Sequence, residues 1–261
     1  FIIYMTSFVL WNKKLDRAVV LTSRVKRFLA ILLFTTFAMT ALCLSSPSCT
    51  NMVIFTPLIL TYGISTILEK IFFISFKNKG KQRIKSIAGL RTIAITASYG
   101  KTSIKNYLYH VLKNKYKTYK TPRSVNTIAG IVLDVNRDIP LDTQIYIAEA
   151  GARVKGDIEE IAMFLEPQIC IIGSVGPQHI EYFKTLDNII HTKMELLKSP
   201  RMKMGFVHES VPIKAYSTIT KFPNNLHITK SNLDGIWFDV EVAGVIEHFH
   251  APILGSFNAI N

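Results

Sequence analysis

The stretch that most constrains this chain is Thr92–Ser103, Thr-Ile-Ala-Ile-Thr-Ala-Ser-Tyr-Gly-Lys-Thr-Ser. Its β-branched and apolar opening reads as a short buried strand. Small residues around Gly100 then break the strand, and Thr102–Leu112 continues with helical spacing. A strand, a tight loop and a helix that begins at Lys-Thr form a site for nucleotide phosphate. Loop N–H groups and the helix N-terminus face the anion, the lysine neutralises it, and the hydroxyl reaches Mg²⁺. The candidate contacts are Thr96, Ser98, Gly100, Lys101, Thr102 and Ser103. Two departures leave a plainer reading open, an ordinary strand-to-helix turn with an exposed lysine. The long Gly-x-x-x-x-Gly-Lys-Ser/Thr loop is absent, and Ala97 stands where a shorter loop would carry its first glycine.

The remainder divides by charge. The 261 residues are 49% apolar, enough for a core and more than one domain. A net charge of +13 raises the question of nucleic acid, but thirteen Lys/Arg fall within residues 1–91 against only Asp16 and Glu69, leaving +2 for the other 170. The basic excess coincides with the most apolar part, which fits a membrane flank and argues against a nucleic-acid partner. Phe28–Leu44 and Met52–Leu68 are uncharged apolar runs, the second extended past Glu69-Lys70 by Ile71–Phe76. Each is near the lower limit, about 17 residues, for crossing a bilayer. Lys and Arg crowd the outer ends (Lys13 to Arg27, Lys77 to Arg91), whereas the Ser45–Asn51 turn has none. The positive-inside rule then gives a transmembrane hairpin with both outer ends cytoplasmic; a pair of buried soluble helices is the alternative.

Phe1–Trp11 reads as the tail of a further membrane helix, and the paired internal runs do not fit a cleavable signal peptide. The chain starts at Phe1 rather than Met and stops at Asn261 within what reads as a helix start, so a fragment is expected. Cys43, Cys49 and Cys170 lack any metal-binding spacing.

Lys77–Leu90 reads as a basic linker, which divides the chain into a membrane-embedded helical segment, residues 1–88, and a second domain, residues 89–261. From Arg91 strands and helices alternate. Thr92–Thr96, Thr143–Ala150, Gln168–Ser174 and Gly205–His208 read as strands; Thr102–Lys113, Asp157–Leu165 and Leu186–Leu197 read as helices. The fold class is α/β with a mainly parallel sheet, and Asn232–Pro252 suits a small antiparallel addition.

Ligands of such a sheet sit at the carboxyl ends of its strands. Three such ends gather polar residues: Thr96–Ser103, Glu149-Ala-Gly151 and Ser174–Glu181. Glu149 interrupts an apolar strand tip, where a carboxylate reaches a metal held by Thr102 and phosphates; a solvated loop acid is the alternative. His179 and Glu181 follow a Gly-Pro turn, where helix capping is the plainer role. His248 and His250 alternate on a strand with no third ligand near and read as structural.

Taken in order, these segments resemble the Mur ligase family of peptidoglycan synthesis, from about Ile93 to Asn261. Thr96-Ala-Ser-Tyr-Gly-Lys-Thr-Ser103 is similar to its short ATP loop, with Ala97 for the usual glycine. Thr121-Pro-Arg-Ser-Val-Asn126-Thr127 with Gly130 resembles its Thr-Pro…Asn segment, and Glu149-Ala-Gly-Ala152 with Lys155-Gly-Asp-Ile158 its Glu-x-Gly segment and following helix. Gly176-Pro-Gln-His179 matches a Gly-x-x-His turn and Thr192-Lys-Met-Glu195 a Lys-x-Glu motif. Leu254-Gly-Ser-Phe-Asn258 resembles a Gly-x-x-Asn stretch, with Phe257 where histidine is common. Within the family the likeness is to the branch that adds D-alanyl-D-alanine to UDP-N-acetylmuramoyl-tripeptide. A membrane segment here stands where the soluble UDP-binding domain normally sits, as in a form of the branch from epsilonproteobacteria.

The resemblance implies ATP-dependent amide formation through an acyl phosphate, by a monomeric enzyme at the inner membrane with its ligase domain in the cytoplasm. It implies that Lys101 and the loop amides cradle the phosphates, and that Thr102 and Glu149 hold one Mg²⁺. His179 and Lys193 would serve a second Mg²⁺; a lysine ammonium cannot ligate a cation, and the family's matching lysine is carbamylated. Without the resemblance, Lys193 reads as a solvated helix lysine paired with Glu195. Asn258 would contact adenine, although on its own it suits a helix N-cap, and Asn126 and Thr127 would face the substrate. Two alternatives stand: another Mur-type amino-acid ligase, or a non-catalytic membrane-anchored nucleotide-binding scaffold, for which Ala97 is the point in favour.

Overall fold

The structure, a computed structural model, describes residues 21–43, 52–178, 180–213, 217–223, 226–242 and 244–260. The expected Phe1–Trp11 helix tail and the Ser45–Asn51 turn lie outside the described residues. The chain forms two compact units, which divide between Ser75 and Phe76.

In the first unit, helix α1 (Ser23–Cys43) is followed by α2 (Met52–Ser86), which runs on into the second unit. Both are long and apolar enough to cross a membrane, and little of either is buried. The buried positions of this unit are Thr35, Pro57 and Thr61 among the described residues. Thr35 and Thr61 hydrogen-bond to one another at 2.8 Å between the helices. Arg27 donates to Glu69 at 2.6 Å from the guanidinium Nη2.

The second unit begins with a correction to the sequence reading. Residues 77–86 are not a linker: they are the last turns of α2, and Ile84, Ile87 and Leu90 belong to the domain's main core. Phe76, Gly80, Ile84 and Ile87 recur at helical spacing, an apolar stripe that the many lysines between them hide. A Cβ on Gly80 would come within 2.9 Å of the Phe164 ring, so the helix packs closely there. Three of its basic residues engage the domain itself. Lys77 pairs with Glu160 at 2.6 Å, Lys81 with Glu166 at 3.4 Å, and Arg83 donates to the Ile139 carbonyl at 2.8 Å.

Strands β1 (Arg91–Thr96), β2 (Thr118–Lys120), β3 (Ile145–Glu149), β4 (Ile169–Ile172), β5 (Met204–His208) and β6 (Ile219–Phe222) form one parallel sheet in the order β2-β3-β1-β4-β5-β6. Helices α3 (Lys101–Leu112), α4 (Ile128–Arg137), α5 (Asp157–Leu165), α6 (Ile180–Phe183) and α7 (Leu186–Met194) supply the crossovers. Strand side chains alternate between faces. Ile93, Ile95 and Ile147 meet Ile104 of α3 on one face. Ala94, Tyr146, Ala148 and Cys170 meet α4 and α5 on the other. Burial on both faces explains why these strands read as nearly continuous apolar runs. Strands β2 and β6, each short, and helix α4, which buries Ile131, Val132 and Val135, were not expected from the sequence.

Strands β7 (Leu226–Asn232), β8 (Gly235–Val242) and β9 (Val245–Ala251) form a small antiparallel sheet, of which β8 and β9 fall in the expected Asn232–Pro252 stretch and β7 precedes it. His248 contacts Asp239 at 2.7 Å and His250 stacks on Trp237, so both are used within the sheet. Helix α8 (Phe257–Ile260) follows. The Cys170 thiol is buried and donates to the Leu196 carbonyl, and burial pushes its pKa up to about 12.

Candidate functional site

In this strand order the chain reverses direction across β1, whose neighbours are β3 and β4, and the carboxyl ends of those three strands border one crevice. Residues leaving β1 form the loop. The Ser98 and Tyr99 N–H groups both donate to the Ser174 carbonyl beyond β4, at 2.8 and 3.4 Å, and Ser98 Oγ donates to the Gly176 carbonyl at 2.9 Å. The Ser98 hydroxyl thus ties the loop to the next strand end. Gly100 caps α3 with φ 81°, a left-handed conformation that glycine adopts without strain. Lys101 Nζ folds back onto the Ala97 and Ser98 carbonyls at 2.6 and 3.1 Å. Burial holds its pKa below the usual lysine value, against the opposing pull of Glu149. Ser103 lies in the first turn of α3, and the buried Thr96 Oγ1 has no hydrogen-bond partner among the described residues.

Ala97, the odd residue of the loop, has a structural counterpart. It is fully buried, and a Cβ placed on Gly173 would come within 3.0 Å of the Ala97 Cβ. The methyl group that the loop gained sits in space left by a glycine on the neighbouring strand end. The departure changes packing behind the loop and leaves its backbone free to turn.

Glu149 ends β3 and is buried, which removes the solvated-acid alternative. Thr102 Oγ1 donates to its Oε2 at 3.3 Å. Lys105, one turn further along α3, places its ammonium 2.6 Å from Oε1 as an ion pair. Oε1 accepts no hydrogen bond among the described residues. A hydroxyl and a carboxylate are hard oxygen donors, a set that fits Mg²⁺ completed by phosphate oxygens and water, with the Lys105 ammonium sharing the carboxylate. No group of three or more His, Cys, Asp or Glu that could hold a metal occurs among the described residues.

Asn126 and Thr127 lead into α4 beside this site. The Asn126 carbonyl accepts the Gly151 N–H at 2.8 Å, and the Asn126 side chain covers Gly151 so closely that a Cβ there would come within 2.8 Å. Thr127 caps α4, accepting from Gly130 N at 3.3 Å.

Lys193 on α7 is buried, only 4% exposed, and is not the solvated partner of Glu195 that residues alone made plausible. Glu195 instead accepts the Gly156 N–H at 2.9 Å and the Glu159 N–H at 3.2 Å, binding the positive end of α5. Burial, then the nearby positive charge of Lys101, push the Lys193 pKa down to about 8. Lys101, Asn126, Thr127 and Lys193 line one cavity of about 640 Å³ together with Arg153 and Glu181. His179 lies outside the described residues. Asn258 stands beside α3, its Oδ1 at 3.5 Å from the Tyr107 hydroxyl, while its Nδ2 donates to the Leu254 carbonyl at 2.7 Å.

Sequence reasoning missed Lys105, Arg153 and Gly173. Lys105 was findable, since it follows Thr102 at i+3 and so shares its helix face. Gly173 has no sequence signal, because its partner is on another strand.

A parallel α/β domain with a short Lys-Thr loop between strand and helix at its switch point defines the class of fold. Comparison makes this specific. Residues 95–261 match the model of the Mur ligase middle domain, and the chain belongs to the Mur ligase family. It is 27% identical over 183 residues to the Bacillus subtilis UDP-N-acetylmuramoyl-tripeptide–D-alanyl-D-alanine ligase, covering 66% of this chain and 39% of that one. With the Borreliella burgdorferi ligase of the same name it shares 30% over 151 residues, 58% of this chain and 31% of that one. The chain thus spans about two fifths or less of these relatives' length. Among solved structures it is similar to MurF from Acinetobacter baumannii, with TM-score 0.62 and 22% identity over 71% of this chain and 43% of that one. It is also similar to MurF from Thermotoga maritima in complex with ADP, with TM-score 0.57 and 22% identity over 67% of this chain and 43% of that one.

Proposed function

We propose that this chain forms the membrane-attached nucleotide-binding part of an ATP-dependent ligase that joins D-alanyl-D-alanine to UDP-N-acetylmuramoyl-tripeptide. The observation that carries the reading is the shared cavity: the phosphate-loop lysine Lys101, the buried Lys193 and the Asn126-Thr127 segment border one space. The names of the curated relatives support the choice of substrates.

In the proposed reaction the peptide carboxylate attacks the γ-phosphorus of ATP, the bond to the bridging oxygen breaks, and ADP leaves. The amine of the dipeptide then adds to the acyl carbon, inorganic phosphate departs, and the amine loses a proton to solvent or to a nearby base. Most of the barrier in phosphoryl transfer is charge and alignment. Lys101 would release the Ala97 and Ser98 carbonyls and bind phosphate oxygens. The amides after Gly100 would receive the β-phosphate. Thr102 and Glu149 would hold Mg²⁺, which when bound offsets the charge of the phosphates. Lys193, its pKa lowered to about 8, would supply the uncharged amine that carbamylation requires more readily than an ordinary lysine; so modified it would serve a second Mg²⁺ with His179. Asn126 and Thr127 would face the acyl substrate, and Asn258 the adenine.

The two apolar helices, with Lys and Arg at their outer ends, support attachment to the inner membrane with the ligase domain in the cytoplasm. The scaffold alternative loses the support it drew from Ala97, whose methyl is accommodated by Gly173.

The test is phosphate release by the intact protein in detergent or nanodiscs with ATP and Mg²⁺. Release that requires both UDP-N-acetylmuramoyl-tripeptide and D-alanyl-D-alanine, and falls by about 100-fold or more in Lys101→Ala, is the expected outcome, on the order of a lost transition-state contact. Release with a different amine would point to another Mur-type ligase, and nucleotide binding without turnover on any amine would leave the scaffold.

A further inference from the structure

We propose that Lys105 is a positioning residue that sets the Glu149 carboxylate for the cation and joins it to the acyl-substrate loop; this rests on the reading of Glu149 as a metal-binding carboxylate. Lys105 and Glu149 are each 1% exposed by side chain, with the ammonium 2.6 Å from Oε1. Burying two charges is costly, and such a pair persists where geometry and further hydrogen bonds hold it. Here they do. The same ammonium donates to the Thr121 carbonyl at 2.9 Å and to the Arg123 carbonyl.

Three elements therefore meet at one nitrogen. Thr102 and Lys105, one turn apart on α3, address the two oxygens of Glu149 separately, Oε2 by hydroxyl and Oε1 by ammonium. Two contacts from one rigid helix fix both the position and the plane of the carboxylate relative to the phosphate loop. The third element is the Thr121–Arg123 turn. Arg123 holds φ 49°, a left-handed conformation unusual for a residue with a side chain. Its carbonyl meets Lys105, which gives that strained turn a stabilising partner. Thr121 is fully buried, and its Oγ1 accepts the Glu149 N–H at 3.4 Å. Asn126 and Thr127 follow shortly after this turn. A purely structural lysine would need only the carbonyls; the carboxylate contact is the feature that links it to the cation.

The experiment measures Mn²⁺ binding in the presence of ADP, by the electron paramagnetic resonance of free Mn²⁺, on the intact protein. It compares wild type with Lys105→Gln, Lys105→Met, Glu149→Gln and the Lys105→Gln/Glu149→Gln double variant. Lys105→Gln can still donate to the two carbonyls but carries no charge, so it separates the fold from the positioning role if Lys105→Met fails to fold. Lys105→Gln is expected to weaken Mn²⁺ binding by about tenfold or more, as loss of a group that orients a metal ligand does. The double variant is expected to bind no more weakly than Glu149→Gln alone, because both changes act through one carboxylate. A folded Lys105→Gln with wild-type Mn²⁺ affinity, or losses that add in the double variant, would overturn the proposal. If Glu149→Gln itself binds Mn²⁺ as wild type does, the metal reading of Glu149 fails first, a result distinguishable from failure of Lys105 alone.

Discussion

The helical hairpin and the α/β domain use similar apolar residues in opposite ways. In the hairpin Leu33, Phe34 and Phe37 are 70–75% exposed, while Thr35 and Thr61 are buried against each other. In the domain Ile95 and Ile147 have no exposure, and the polar groups gather at the strand ends. The first region hides polar groups from its surroundings and the second hides apolar ones. Water favours only the second arrangement. The difference teaches that apolar content alone does not locate a core: the partner of the apolar surface does, and for the hairpin that partner is not among the described residues.

The largest expected effect tests that inversion directly. Arginine at Phe34 and Phe37 would place two charges midway along α1, at about 2.5–3.5 kcal/mol each on an insertion scale if the helix sits in lipid. The double variant should then leave the carbonate-resistant membrane fraction. Were the exposed face instead a surface in water, the same arginines would keep the protein folded and raise its solubility. That result would break the comparison and return the hairpin to the class of soluble helices.

A smaller effect sharpens the other side, where burial acts on charge. The folded-state pKa of Lys193 is about 8, below the ordinary lysine value of 10.5. Between these two values the unfolded chain binds more protons than the folded one, so Lys193 makes stability rise with pH through that window. Below about pH 8 the buried charge lowers stability by a constant amount, up to about 3 kcal/mol, at about 1.4 kcal/mol for each tenfold loss of proton affinity on folding. Lys193→Met should therefore be more stable than wild type at pH 7, with the gap closing by pH 10.5. Thermal melts in carbonate-free buffer check this; an equal gap at both pH values would mean that Lys193 keeps its ordinary pKa in the fold.

Legibility in the sequence followed the same division. Strands β1, β3 and β4 were readable because burial on both faces requires apolar runs, and the loop after β1 because small residues around Gly100 break the strand before a helix that starts at Lys-Thr. Glu149 was readable as an acid at an apolar strand tip. The packed end of α2 was not, because Lys77, Lys81 and Arg83 make it read as a solvated linker when they are in fact paired with Glu160, Glu166 and the Ile139 carbonyl. Lys105 looked like one more surface lysine of a basic chain, and only the folded positions of Thr121, Arg123 and Glu149 reveal its partners. Gly173 answers Ala97 across two strands, a pairing that no local pattern encodes.

The smallest expected effect lies in the polar seam of the hairpin. Thr61→Val keeps the side-chain volume and deletes the hydroxyl that meets Thr35 at 2.8 Å. Hydrogen bonds between membrane helices average about 0.6 kcal/mol, because each group finds other partners when the contact is lost. Thr35 already has such a partner, donating to the Leu32 carbonyl at 3.1 Å within its own helix. Unfolding of the variant in detergent should therefore shift by no more than that. A loss of about 2 kcal/mol, typical of an orphaned buried polar group, would mean that Leu32 does not rescue Thr35. The seam would then behave like the polar interior of the α/β domain, where Thr102 and Glu149 have few substitutes, and the two regions would differ in their surroundings but not in how they hold buried polar groups.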